Sequence, residues 1–266
     1  MFNFNQKNVL VVGGTSGINR GIAENFARVG ANVAVISRSQ EKVDDTIKSL
    51  RALGSKKVAG RAVDVRDAEQ LKNQIVELTA EIGRWHVVIS GAAGNFPALA
   101  MNMSANAFKS VVDIDLLGTF NVMQSVYPYL QKPGASIINI SAPQASIAMI
   151  AQSHVCAAKA GVDMITKSLC VEWGVEGIRI NSVVPGPIDG TEGMARLAPN
   201  DAMRDAVKKS VPLKRMGNVD DVANLCMFLA SDFASYITGA IIPVDGGWVV
   251  SGAGSMNSIL AAAMKS

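Results

Sequence analysis

Short, almost continuously apolar runs recur along the chain at 9–12, 33–37, 58–63, 87–90, 136–140, 178–184 and 240–244, with amphipathic stretches between them. A strand that is apolar at every position is one covered on both faces, and such strands belong to parallel sheets whose crossovers are helices. Ile18, Ile22, Phe26 and Val29 mark one face of the first crossover; 40–53 and 68–82 repeat that rhythm with charged outer faces. The alternation predicts an α/β fold, a single doubly wound parallel sheet with helices on both faces. No linker, low-complexity block or internal repeat divides the chain, so one domain over 1–266 is expected. Two regions depart from the rhythm. One is a Pro-, Gly- and Met-rich stretch about 186–213, read as a mobile substrate flap with a helix near 201–209. The other is a small, apolar tail at 251–266.

Composition narrows the function class. Hydrophobic residues make up 49% of the chain, yet no apolar run is long enough for a membrane span, and the opening residues lack a secretion signal. A net charge of +3 with scattered lysines and arginines gives no footprint for nucleic acid. Cys156, Cys170 and Cys226 have no metal-ligand spacing and are odd in number, so buried free thiols in a reducing, cytoplasmic setting are expected, with no metal.

The first strand runs into Gly13-Gly14-Thr15-Ser16-Gly17-Ile18-Asn19 and then a helix. Glycines there let the backbone turn tightly and approach a pyrophosphate, which the helix N-terminus favours. Asn19, among the non-glycine residues most tolerant of left-handed backbone angles, is expected to complete the turn. The second strand ends in Ser37-Arg38-Ser39. An arginine there suits the 2′-phosphate of NADP(H) through charge-assisted bonds, a solvated strand-end cation being the plainer alternative.

In order along about 6–250, the glycine turn, Asp64-Val65, Gly91-Ala92-Ala93-Gly94, Lys159 and Pro185-Gly186-Pro187-Ile188 with Thr191 resemble the motifs of the Rossmann-like short-chain dehydrogenases/reductases. The resemblance implies a cofactor site formed by Gly13, Thr15, Ser16, Gly17, Ile18, Ser37, Arg38, Asp64, Val65, Ala92, Ala93, Gly94, Lys159, Pro185, Gly186, Ile188 and Thr191. It also implies a homotetramer built through helices near 105–130 and 153–174 and the final strand. The usual catalytic set of Asn, Ser, Tyr and Lys is reduced to Lys159. Asp115, Ala142 (with Ser141 one step off) and Val155 stand at the other positions. Valine cannot protonate an alkoxide, so simple carbonyl reduction is disfavoured.

Ala92-Ala93-Gly94-Asn95-Phe96, Asp113-Ile114-Asp115, Gly118-Thr119-Phe120, His154 and the segment 185–193 resemble the peroxisomal type of 2,4-dienoyl-CoA reductase. That resemblance implies an acyl-CoA substrate and Asp115 and Lys159 as the catalytic residues. Hydride would enter a conjugated thioester at Cδ, and the resulting dienolate would take a proton at Cα. Lys159 would hold the nicotinamide ribose and lend positive charge. Asp115, paired with Lys159 or bridged to it by water, would organise the water that supplies the proton. Asn95, Phe96, Ser141 and His154 are the substrate-side candidates, His154 as a donor to the dienolate oxygen. Plainer roles stay open: Asp115 as a helix tether, Phe96 as packing, His154 as a local hydrogen-bond partner. So do two rival functions, reduction of another activated alkene or carbonyl with Ser141 or His154 as the acid, and NADP(H) binding without catalysis. The ending Met264-Lys265-Ser266 differs from a Ser-Lys-Leu peroxisomal address, in keeping with the cytoplasmic expectation.

Overall fold

A computed structural model describes residues 2–251, so the tail expected at 251–266 lies, apart from Ser251, outside the described residues. Strands β1 (Asn8–Val12), β2 (Asn32–Ser37), β3 (Val58–Ala62), β4 (Val87–Ser90), β5 (Ser136–Ile140), β6 (Arg179–Pro185) and β7 (Ile241–Val244) form one parallel sheet among the described residues, ordered β3-β2-β1-β4-β5-β6-β7. The helices are α1 (Gly17–Arg28), α2 (Gln40–Ala52), α3 (Ala68–Ile82), α4 (Ala105–Val111), α5 (Gly118–Val126), α6 (Ser153–Trp173), α7 (Glu192–Leu197), α8 (Asp201–Ser210) and α9 (Val219–Ala230). A π-helical turn, Val112–Leu117, joins α4 to α5.

The apolar strands feed two cores at once. In β1, Val9 and Val11 face a cluster with Ile22 and Phe26 of α1 and Val222 of α9. Leu10 and Val12 face the opposite cluster, with Leu71, Ile75 and Leu78 of α3 and Val122 of α5. Alternate residues go to opposite faces and both faces are dry, which is why the runs carry no polar alternation. The helices start where the sequence offers a cap. Ser39, Asp67, Ser104, Thr191 and Asn200 each accept from a backbone N–H in the first turn. Asn218 and Asp221 form a reciprocal capping box on α9.

The flap differs from expectation in one respect. Besides α8, at the expected place, it holds the short helix α7, started by the Thr191 cap. Asp189 and Arg204 pair across it at 2.5 Å. The three cysteines are free, but only Cys226 is buried as expected, and burial pushes its thiol up to about 12; Cys156 and Cys170 are partly exposed. None of the described helices is long and apolar enough to cross a membrane.

Candidate active site

The sheet register puts every relevant loop at one edge. Val12 lies opposite Ile36 and Ser90, Ser90 opposite Asn139, and Asn139 opposite Ser182. The chain therefore leaves β1, β2, β4, β5 and β6 side by side, across the point between β1 and β4 where strand order reverses. Open parallel sheets bind ligands at that point.

Gly13 and Gly17 have φ of +78° and +51°, and a Cβ on Gly13 would sit 2.9 Å from the Ala92 amide nitrogen. Only glycine fits that turn. Ser16 is the extended N-cap residue of α1 and its side chain caps nothing, which leaves the helix N-terminus facing the cavity. Asn19 corrects an expectation. It lies inside α1 rather than in a left-handed turn, and its Nδ2 donates to the Gly91 carbonyl at 2.8 Å. Its task is to tie the first turn to the end of β4, a partner invisible in the local sequence.

Ser37, Arg38, Asp64, Val65, Ala92 and Ala93 line a cavity beside this turn. Thr15 lines no part of it; its hydroxyl is buried and braces Ser37 by donating to Oγ at 2.8 Å. Asp64 is taken by Arg66, whose Nε and Nη2 donate to it at 3.0 and 2.6 Å. That contact holds the Asp64 carboxyl below its ordinary value. Arg38 is left as the cation facing this end of the cavity.

A second cavity, about 280 Å³, shares Ser16, Asn19, Gly91 and Ala93 with the first and extends to Asp115, Ser141, Val155 and Lys159. Asp115 sits in the π-helical turn, a distortion that often marks functional sites. Its Oδ1 accepts from the Gly94 amide at 2.7 Å, and its Oδ2 lies 3.3 Å from Lys159 Nζ. The two side chains are 1% and 6% exposed, so this ion pair is buried, in direct contact rather than bridged. Lys159 also donates to the Ile140 carbonyl at 3.1 Å, and the remaining N–H bonds of its ammonium are available to the cavity it lines.

Other candidates fall into two groups. Asn95, Ser141 and Thr191 line the second cavity; Ser141 Oγ is buried without a hydrogen-bond partner. His154 and Phe96 do not line it. His154 is fully buried, its ring 4.6 Å from that of Phe96, and neither ring nitrogen has a partner. The expectation that both face the pocket is thus corrected: the α6 turn carrying Val155 and Lys159 points His154 the other way, beneath Phe96. Pro185, Gly186 and Ile188 shape the turn after β6 without lining either cavity, Ile188 being packed in the core. Ile18 touches the second cavity at the start of α1. Among the polar lining residues outside the cofactor candidates are Asn19, and Glu192, which starts α7 beside Thr191.

These residues fit a nicotinamide dinucleotide. A glycine cradle that a Cβ would fill lies at a helix N-terminus, with a cationic end at Arg38 and a buried ammonium at the other end. A larger cavity, about 690 Å³, opens between 212–217 and β7. It lies at the outer edge of the sheet, where Arg215 and Asp221 pair with each other, and holds no comparable constellation.

Residues 12–249 match the family model described as enoyl-(acyl carrier protein) reductase. The peroxisomal 2,4-dienoyl-CoA reductase of Saccharomyces cerevisiae is 42% identical over 247 residues, covering 92% of this chain and 84% of that one. Its counterpart in Danio rerio is 40% identical over 243 residues, covering 91% and 81%. A gluconate 5-dehydrogenase from Burkholderia cenocepacia, solved with NADP and tartrate, has a TM-score of 0.87 at 27% identity and covers 94% of this chain and 97% of that one.

Proposed function

Since the chain belongs to the short-chain dehydrogenase/reductase family of oxidoreductases, we propose that it is an NADPH-dependent reductase of conjugated acyl thioesters, converting 2,4-dienoyl-CoA to 3-enoyl-CoA. The observation that carries this reading is the buried Asp115–Lys159 pair beside Val155. A carbonyl reductase needs a proton donor at that valine; a conjugated thioester needs a positive site for its dienolate and a proton delivered at carbon.

When bound, the reduced nicotinamide supplies a hydride. Lys159 holds the ribose beside it and lends positive charge, its ammonium fixed by Asp115 and the Ile140 carbonyl. Asp115, pinned by the Gly94 amide, orients the water that gives its proton to Cα. Beside an ammonium a carboxylate favours its charged form, so it orients the water rather than donating directly. Arg38 selects the 2′-phosphate, since Asp64, the carboxylate that lines the same cavity, is occupied by Arg66. Asn95 lies on the substrate side of the cavity. Phe96 and His154 form the wall behind it, and His154 reaches a thioester oxygen only if Phe96 turns aside.

A second reading, reduction of another activated alkene or carbonyl, rests on the unpaired Ser141 hydroxyl in the same cavity. The same proposal includes a homotetramer, supported by exposed Phe108, Phe120 and Met164 on α4, α5 and α6, and action in the cytoplasm, although the named relatives are peroxisomal. The test is purified protein with NADPH and a medium-chain 2,4-dienoyl-CoA, following NADPH loss and the product's double-bond position. A 3-enoyl product is expected. Tight NADPH binding with no turnover would remove this reading and favour a non-catalytic nucleotide-binding role.

A further inference from the structure

With His154 turned behind Phe96, α6 gives the reaction cavity only Val155 and Lys159, and the lysine already serves Asp115 and the Ile140 carbonyl. The thioester oxygen needs another donor, and Gln144 lines the same cavity. It follows β5 in a single 3-10 turn, Pro143–Ala145. The Pro143 ring fixes φ at the start of that turn. The Ala145 amide donates to the Ala142 carbonyl at 3.0 Å, and the Ser146 and Ile147 amides converge on the Pro143 carbonyl at 3.0 and 2.9 Å. The side chain is anchored too. Its Nε2 donates to Oε1 of Gln152 at 2.8 Å, and Gln152, 4% exposed, lines no part of the cavity. Gln152 caps the start of α6 and follows Ala151, whose φ is +62° and whose carbonyl accepts from the Ala98 amide at 2.9 Å. A non-glycine residue keeps such an angle only where its surroundings impose it. The buried glutamine is therefore a fixed anchor, and Gln144 is the group it presents. One bond joins the two amides, and whichever of them donates, Gln144 keeps at least one N–H unspent. Gln152, Val155 and Lys159 fall at i, i+3 and i+7 along one face of α6. Gln144, held at Gln152, thus lies beyond Val155, about 10 Å of helix from Lys159.

We propose that Gln144 is the hydrogen-bond donor to the thioester oxygen of the substrate, presented by Gln152 acting as its positioning residue. The inference deepens the reading above and rests on it. The cavity wall runs from a charged end at Lys159 and Asp115, past an apolar stretch at Val155, to a neutral amide. A conjugated thioester has the same outline: a carbon that takes hydride, a flat carbon chain, and an oxygen set apart from the hydride site. Hydride addition pushes an electron pair onto that oxygen, and a donor already aimed at it stabilises the growing charge without reorganising. When Cα takes its proton the carbonyl reforms, and the amide is left unchanged. A neutral amide is also too weak an acid to protonate the oxygen, so the proton goes to carbon.

Two variants carry the test. Gln144→Met keeps the length of the side chain without its amide. Gln144→Glu keeps an acceptor that the Gln152 amide can turn to meet, and has no N–H. Each is expected to lower kcat on 2,4-dienoyl-CoA roughly a hundredfold, the scale of a lost oxyanion donor. NADPH affinity should be unchanged, since Gln144 does not line the nucleotide cavity. A merely structural role would not move the second readout, the infrared band of an isotope-labelled thioester carbonyl in 2,4-dienoyl-CoA bound with NADP+. That band is expected at lower frequency in the wild type than in Gln144→Met. The same band position and the same kcat in both proteins overturn the proposal, and Gln144→Glu decides by these two measurements if Gln144→Met does not fold. Variants that reduce dienoyl-CoA as well as an active wild type remove this inference and leave the substrate reading standing. A wild type that neither binds nor reduces dienoyl-CoA removes both.

Discussion

Leu116 rests directly on Gly161, so closely that a methyl group there would come within 2.8 Å of Leu116 Cδ1. The contact seats the π-helical turn against α6 and brings Asp115, the residue before Leu116, to Lys159, two residues before Gly161. Gly161→Ala puts that methyl against the flexible end of a leucine and gains helix propensity of up to about 1 kcal/mol. Its Tm is therefore expected to stay near the wild type while turnover falls. Gly161→Leu forces the elements apart and should cost about 1–3 kcal/mol. Thermal melts beside kcat would separate the two effects; unchanged kcat in both variants would deny this contact a part in aligning the pair.

The buried ion pair should reveal itself by asymmetry. Asp115→Ala leaves the Lys159 ammonium with only the Ile140 carbonyl, and the loss of one partner of a buried pair costs about 3–5 kcal/mol. Asp115→Ala with Lys159→Met removes both charges and should recover much of that loss. Urea melts of the single and double variants provide the check; simple additivity would contradict a coupled pair.

Arg38 bears on cofactor choice. Arg38→Ala should weaken NADPH binding by about 10- to 100-fold, the size of one or two charge-assisted bonds, and leave NADH binding nearly unchanged. Fluorescence titration with both cofactors measures this. An equal loss for both would mean that the arginine supports the fold of the site and not the phosphate.

Away from the site, Arg215 first and the Asn218 amide second hold the Asp221 carboxyl below its ordinary value. A depressed carboxylate contributes stability that is fully present above its unfolded-chain pKa and is lost as pH falls through the folded value. Asp221→Asn should therefore lower stability by about 1 kcal/mol at neutral pH, mostly through the α9 cap, because the exposed ion pair is screened. The deficit should shrink in acid. Melts at neutral and acidic pH, with and without added salt, follow it.

What could be read from the residues was whatever depends on neighbours in sequence. The strands were readable because parallel strands dry on both faces leave continuous apolar runs. The turn at Gly13 was readable because a tight turn between a strand and a helix demands glycine. Asn19 was misread because its partner, Gly91, lies far along the chain, and a backbone explanation was the only local one on offer. Val155 was conspicuous because a missing hydroxyl needs no structure to be noticed. The buried position of His154 depends on how α6 is rotated against Phe96, and its depth on how that helix packs on the sheet. Neither rotation nor depth leaves a trace in residue spacing.

The π-helical turn has a consequence for how such a chain can change over generations. It holds one residue more than an α-helical ladder would, so everything after it is rotated by about 100° relative to an uninterrupted helix. Asp115 inside the turn and the outward face of α5 that bears Phe120 thus share one phase. A substitution alters one of them. A single-codon deletion within 112–114 would turn both together, withdrawing the carboxylate from Lys159 and re-aiming the apolar face in one event. Point changes are therefore the tolerable route to new specificity here, and length changes are closed off.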